Sequence, residues 1–160
     1  MRPAVRPSSS PNIYRFVGQL LPLLLGWSAA SIAAGVGLRR KGDDRLRGVG
    51  DQFITWGAID GLIAVAGIAG AQKSARRVDA EDDYARQQAS QASRFELVVW
   101  ANAALDIGYI AGGSTLARRN PSNPYRRGTG WGIIAQGAFL FAWDVFLALA
   151  IRRYHRDRLA

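Results

Sequence analysis

Three aspartates, Asp60, Asp106 and Asp144, stand alone in long apolar stretches and have the strongest claim to chemistry in this chain. An ionised carboxylate at the centre of a bilayer costs about 3 kcal/mol on insertion scales, so such groups turn inward, find partners, and in pumps and transporters line paths for protons or cations. Each has polar company at helical spacing. Gln52 and Trp56 precede Asp60 at intervals of four, Asn102 precedes Asp106 by four, and Gln136 precedes Asp144 by eight. Residues four apart share a helix face, and residues eight apart return to within about 80° of each other. Three helices therefore each present one polar stripe.

Other chemistry is thinly supplied. The chain has no cysteine, which removes disulfides, thiolate zinc sites and cysteine nucleophiles. Its single histidine, His155, lies in a charged tail, which removes most Ser-His, Cys-His and His-metal catalysis. No nucleophile–base pair stands out, so we expect no catalytic residue, no cofactor and no metal site, and the chain reads as non-enzymatic. A net charge of +9 raises nucleic acid as a partner. The basic residues sit beside apolar spans, however, and not in a stripe with exposed aromatics. Anionic lipid head groups are the expected partner, and nucleic acid is not.

The elements that must position the aspartates emerge from charge segregation. Over 160 residues the mean hydropathy is −0.03, an ordinary value that averages two populations. The stretches 16–38, 52–72, 97–117 and 129–151 total 88 residues and hold 3 of the 33 charged side chains. A soluble domain mixes charge along amphipathic elements, whereas these blocks match a bilayer's thickness at about 20 residues each. Uninterrupted apolar runs favour helices over barrel strands, which alternate. The expected fold is all-α, a membrane-embedded antiparallel four-helix bundle over residues 13–153. A cleaved signal peptide is the rival reading of the first span. Against it stand the length of the apolar run, the lack of an Ala-x-Ala before Arg39, and the similar spans that follow.

Residues 1–12 read as a flexible basic tail and residues 154–160 as a basic C-terminal tail. Segments 39–51 and 118–128 read as short loops between antiparallel neighbours. From Asp79 onward the third connection is made of good helix formers with acids first, so the third helix is expected to begin near Asp79 to Asp82 and project from the bilayer. A separate surface helix is the alternative. Each span ends in a double arginine, and the segments on the side of the termini carry 12 Lys+Arg against 9 on the other side. The positive-inside rule then places both termini in the cytoplasm.

With each span centred in the bilayer at about 1.5 Å per residue, Asp60 lies about 3 Å before the centre, Asp106 about 1.5 Å beyond it and Asp144 about 6 Å beyond. The carboxyls form a staircase. Tyr109 falls level with Asp60, Gln136 close to it, and Asn102 level with Asp144. The expected contacts are Asp60 with Tyr109 or Gln136, and Asp144 with Asn102. Gly57-x-x-x-Gly61, Gly108-x-x-x-Gly112 and Gly128-x-x-x-Gly132 supply close-packing faces, mainly within the chain, with a seam to a second copy or a partner membrane subunit left open. Trp100 and Trp131 read as interface anchors, and Trp143 could close one end of the stripe. A faint echo at an offset of 42 residues, with Asp60 against Asn102 and Ile68-Ala69-Gly70 against Ile110-Ala111-Gly112, reads as coincidence in a chain rich in Ala and Gly.

The segments Gln52 to Asp60, Asn102-Ala103-Ala104-Leu105-Asp106-Ile107-Gly108-Tyr109, and Gly130-Trp131-Gly132 through Gln136-Gly137 to Asp144 resemble a bacterial family of small four-helix integral membrane proteins of unknown function. The likeness covers roughly residues 50 to 150. It implies a four-span bundle in a bacterial inner membrane and supplies no activity; Asp60 departs from a pattern that favours Asn. Two functions compete for the staircase. In one, the polar groups fix helix register in a structural or accessory membrane protein, each contact contributing about 1 kcal/mol. In the other, the same carboxyls serve a proton- or cation-linked transporter. The first is the primary expectation.

Overall fold

The structure, a computed structural model, describes residues 11–40, 42–80 and 87–159. These form four helices, α1 (Ile13–Arg40), α2 (Asp44–Ala80), α3 (Gln88–Arg119) and α4 (Pro124–Arg158), with no strand among the described residues. Very short connections force successive helices antiparallel. Gly42 takes φ +78°, a left-handed conformation suited to glycine, where α1 turns into α2. Asn123 caps α4 by accepting a hydrogen bond from the Arg126 amide at 3.0 Å, with Pro124 in the first turn. Helices α1, α2 and α4 are long and apolar enough to cross a membrane. Asn102, Asp106 and a Gly-Gly-Ser-Thr run lower the average of α3, which falls outside that group.

The helices run further than the apolar spans suggest. Asp79 and Ala80 are the last residues of α2, and α3 starts at Gln88, so the expected start of the third helix near Asp79 to Asp82 is corrected at its first two positions. Residues 81–86, where the rest of that expectation falls, lie outside the described residues. The C-terminal tail is helical as far as Arg158, and α2 already begins at Asp44 within the expected loop 39–51. Helix-forming residues continue past the apolar limit in each case, and hydropathy marks the apolar stretch without marking where a helix stops.

Helix α1 packs along α2, α3 packs along α4, and α2 and α4 join the two hairpins. Nowhere among the described residues do the backbones of α2 and α3 approach each other. At one end the two helices of each hairpin meet through glycines. A Cβ on Gly35 would lie 2.6 Å from the carbonyl of Gly50, and one on Gly130 2.6 Å from that of Gly113. Between α2 and α4 the fit is closer still: a Cβ on Gly48 would strike the Tyr125 carbonyl, and one on Gly128 the Arg45 carbonyl. Arg39 and Asp51 form an ion pair at 2.9 Å at this end, and the Tyr125 hydroxyl donates to Asp51 at 2.8 Å. Gly57 and Gly61 do pack, against Ser28 and its neighbours on α1. Gly108 and Gly112 do not, since neither would bring a Cβ within 4 Å of anything; the glycine of α3 that meets a neighbour is Gly113. A GxxxG spacing marks a face without saying which way that face points.

The opposite end is closed by polar side chains. Asn12 is buried, not part of a free tail: its amide hydrogen goes to the Tyr154 hydroxyl at 2.7 Å, and its side chain donates to the Ala75 carbonyl at 3.0 Å and to Asp79 at 3.2 Å. The Asn12 side-chain oxygen accepts from the Arg15 amide at 3.2 Å, capping α1. From the start of α3, buried Gln88 accepts from the Ile13 amide at 2.8 Å and donates to the Pro11 carbonyl at 2.7 Å. Burial pushes the Tyr154 phenol above its ordinary range, so it stays a neutral hydroxyl. Two amides thus bind all four helix ends. The apolar core lies on this side, with Ile13, Leu24, Ala92, Val99, Leu147 and Ile151 among its buried members. Phe16 stacks on Tyr154 at 4.5 Å, and Tyr14 meets Phe95 edge-on at 5.7 Å.

Two outcomes test this arrangement by thermal unfolding in detergent micelles. Gly128→Ala should destabilise by about 1–3 kcal/mol through overpacking against the α2 backbone, whereas Gly112→Ala should change stability by less than about 0.5 kcal/mol. Asn12→Ala, which loses a cap and two interhelical bonds, should lower the melting temperature more than Asn123→Ala, which loses a cap alone. Equal effects within either pair would contradict the assigned contacts.

Candidate functional site

Helices α2 and α3 face each other at mid-length without touching backbones, and the space between them is a cavity of about 310 Å³. Its walls come from all four helices. Trp56, Asp60 and Ile63 belong to α2; Asn102, Asp106 and Tyr109 to α3; Trp143 and Asp144 to α4; Leu21 and Leu24 to α1. All three aspartates of the apolar stretches therefore share one space.

The carboxyls differ in their surroundings. Asp60 is 2 % exposed and Asp106 4 %; the buried Oδ2 of Asp60 has no hydrogen-bond partner, and the Asp106 carboxyl has only that of Asp144. Asp144 is half-buried and lies within hydrogen-bonding reach of Asp106. Two carboxyls can bond to each other only when one carries a proton. Neither Lys nor Arg lines the cavity, so nothing cationic in the described chain balances these groups. No group of three acids or histidines among the described residues is arranged to hold a metal ion.

Aromatic rings and apolar side chains complete the walls. Trp56 of α2 and Tyr109 of α3 meet edge-on, with centroids 5.0 Å apart and planes at 74°, and bridge the two helices on the side nearer the glycine crossings. Trp143 is buried beside Asp144. Ile63 and Leu105, also lining residues, are 55 % and 63 % exposed, so the mouth of the cavity opens laterally between α2 and α3 through an apolar rim.

The expected partners of the aspartates are only partly found there. Tyr109 and Asn102 line the cavity with Asp60 and Asp144. Gln136 does not meet Asp60. It accepts from the Trp27 indole at 3.2 Å and donates to the Ser31 hydroxyl at 2.6 Å, both on α1. The reason is angular, since the roughly 80° between positions eight apart sends Gln136 towards α1 and Asp144 towards the cavity. Phe139 stacks on Trp27 at 3.7 Å in the same seam. Ser28 adds a hydrogen bond to the Gly57 carbonyl at 2.7 Å. These α1 residues escaped the sequence reading, although Ser28, Ser31 and Gly35 at spacings of three and four are a legible small-residue face. Trp100 and Trp131 are exposed on the outer surface, at 39 % and 47 %.

No curated protein and no solved structure matches the chain. The stretch from Leu23 in α1 to Val145 in α4, which contains Asp60, Asp106, Asp144 and the aromatic walls around them, matches the family of unknown function DUF6992, and the chain belongs to that family.

Proposed function

We propose that this is a small, non-enzymatic, multi-pass protein of a bacterial inner membrane, with both termini in the cytoplasm, and that its cavity carboxyls exchange protons in support of proton- or cation-linked transport. The observation that carries the transport reading is the buried Asp60 Oδ2, which has no hydrogen-bond partner, beside the Asp106–Asp144 carboxyl pair. A polar group kept only to set helix register is expected to be satisfied by the neighbouring helix. Here that work falls to other residues: Ser28 on Gly57, Gln136 on Trp27 and Ser31, and the Asn12 and Gln88 amides. The aspartates are left facing an open space beside one another.

Membrane insertion is supported by three helices long and apolar enough to span, and by arginines at the helix ends, where they can reach head groups. The second reading is a structural or accessory membrane component. The exposed glycines Gly108 and Gly112, open on the outer face of α3, favour it as a seat for a second copy or partner subunit.

Proton entry into liposomes under a potassium diffusion potential separates the two. Wild-type protein should carry proton flux above that of empty liposomes, and Asp106→Asn, which keeps shape while removing the exchangeable proton, should lower it by about tenfold or more. Wild-type flux no greater than that of empty liposomes, or equal flux in the variant, would return the aspartates to a structural role.

A further inference from the structure

We infer that the cavity between α2 and α3 is a binding site for an organic ammonium ion, a protonated alkyl- or arylalkylamine, that enters laterally from the apolar phase. The inference rests on the reading of these carboxyls as functional and names the chemistry of what they meet. Five features select that class. The site is acidic, with Asp60, Asp106 and Asp144 and no cation among its walls. An acceptor oxygen, Asp60 Oδ2, is buried without a donor on a residue 2 % exposed, and Asp106, 4 % exposed, meets only the Asp144 carboxyl. An N–H-bearing cation supplies the missing donors and the missing charge together.

The remaining features describe the rest of the ligand. Trp56, Tyr109 and Trp143 present ring surface beside the carboxyls, and aromatic faces attract ammonium groups and apolar bodies alike. At about 310 Å³ the space lies at the lower end of small-molecule sites. A bare metal ion fits poorly, because no three acids or histidines among the described residues converge as ligands. The mouth is rimmed by exposed Ile63 and Leu105, so a ligand with an apolar tail can pass it without crossing a polar surface.

Binding and protonation compete. The titratable groups facing the cavity are Asp60 from α2, Asp106 and Tyr109 from α3, and Asp144 from α4, while α1 contributes Leu21 and Leu24. A protonated carboxyl offers the ammonium no counter-charge, so acidification weakens binding while the amine keeps its own charge. Uptake of the cation in turn releases a proton.

Equilibrium dialysis of radiolabelled 2-phenylethylammonium against the full-length protein in uncharged detergent micelles tests the site, with propylbenzene as the neutral isostere. The expected result is saturable binding of the ammonium and not of propylbenzene, weaker in acidic buffer, and weakened by about tenfold or more in Asp60→Asn and in Asp106→Asn. Equal saturable binding of propylbenzene would overturn the proposal by reducing the site to an apolar cleft, and this comparison needs no variant to fold. Absence of saturable ammonium binding in a protein that still carries proton flux would overturn the ligand assignment and leave the proton reading standing. Saturable, Asp-dependent ammonium binding in a protein that carries no proton flux would uphold the site and remove the flux reading.

Discussion

Backbone contact at glycines sets the spacing of all four helices. Helix α1 rests on α2 through Gly35 and Gly50, α2 on α4 through Gly48 and Gly128, and α3 on α4 through Gly113 and Gly130. All three crossings lie at the same end of the bundle. No comparable contact draws α2 to α3, so these two helices remain apart, and the gap between them becomes the cavity. Side chains as short as a methyl group at Gly48 or Gly128 would meet a main-chain carbonyl, an obstacle that no rotamer change relieves.

The two ends of the bundle are held by different physics. One end is held by van der Waals contact between bare backbones, which small residues allow to approach closely. At the other end, Asn12 and Gln88 satisfy main-chain groups at helix termini and tie α1 to α2, α3 and α4 at once. A bundle pinned at both ends can tolerate an unfilled, polar middle. That tolerance matters, because the carboxyls of Asp60, Asp106 and Asp144 draw together, without a cation, in a space that packing alone would have filled with Leu and Ala.

The same division explains which polar residues serve structure and which are free for function. Gln136, Ser28 and Ser31 are consumed in the α1 seam. Asp60 retains an unused oxygen, and Asp106 faces only the Asp144 carboxyl. Membership of the DUF6992 family covers both groups, since its matched stretch runs from α1 well into α4. The stretch does not include the Asn12 and Gln88 clasp in full, as Asn12 precedes it.

The sequence by itself determined the number of helices, their antiparallel order and the inward grouping of the three aspartates. Blocks of apolar residues as long as a bilayer, with one carboxylate near the middle of each of three, leave few arrangements open. Helix limits were legible only as apolar limits, which is why α2 runs on through Ala80 and Asn12 belongs to the fold. Tertiary structure alone decided which glycines touch and where Gln136 points. Those outcomes depend on the rotation of each helix about its axis, and periodicity in one chain defines faces without assigning their neighbours. Gly112 and Gly113 are neighbours in the sequence, yet one faces open space and the other a carbonyl of α4. The cavity itself depends on the missing contact between α2 and α3, a relation between elements that no local pattern encodes.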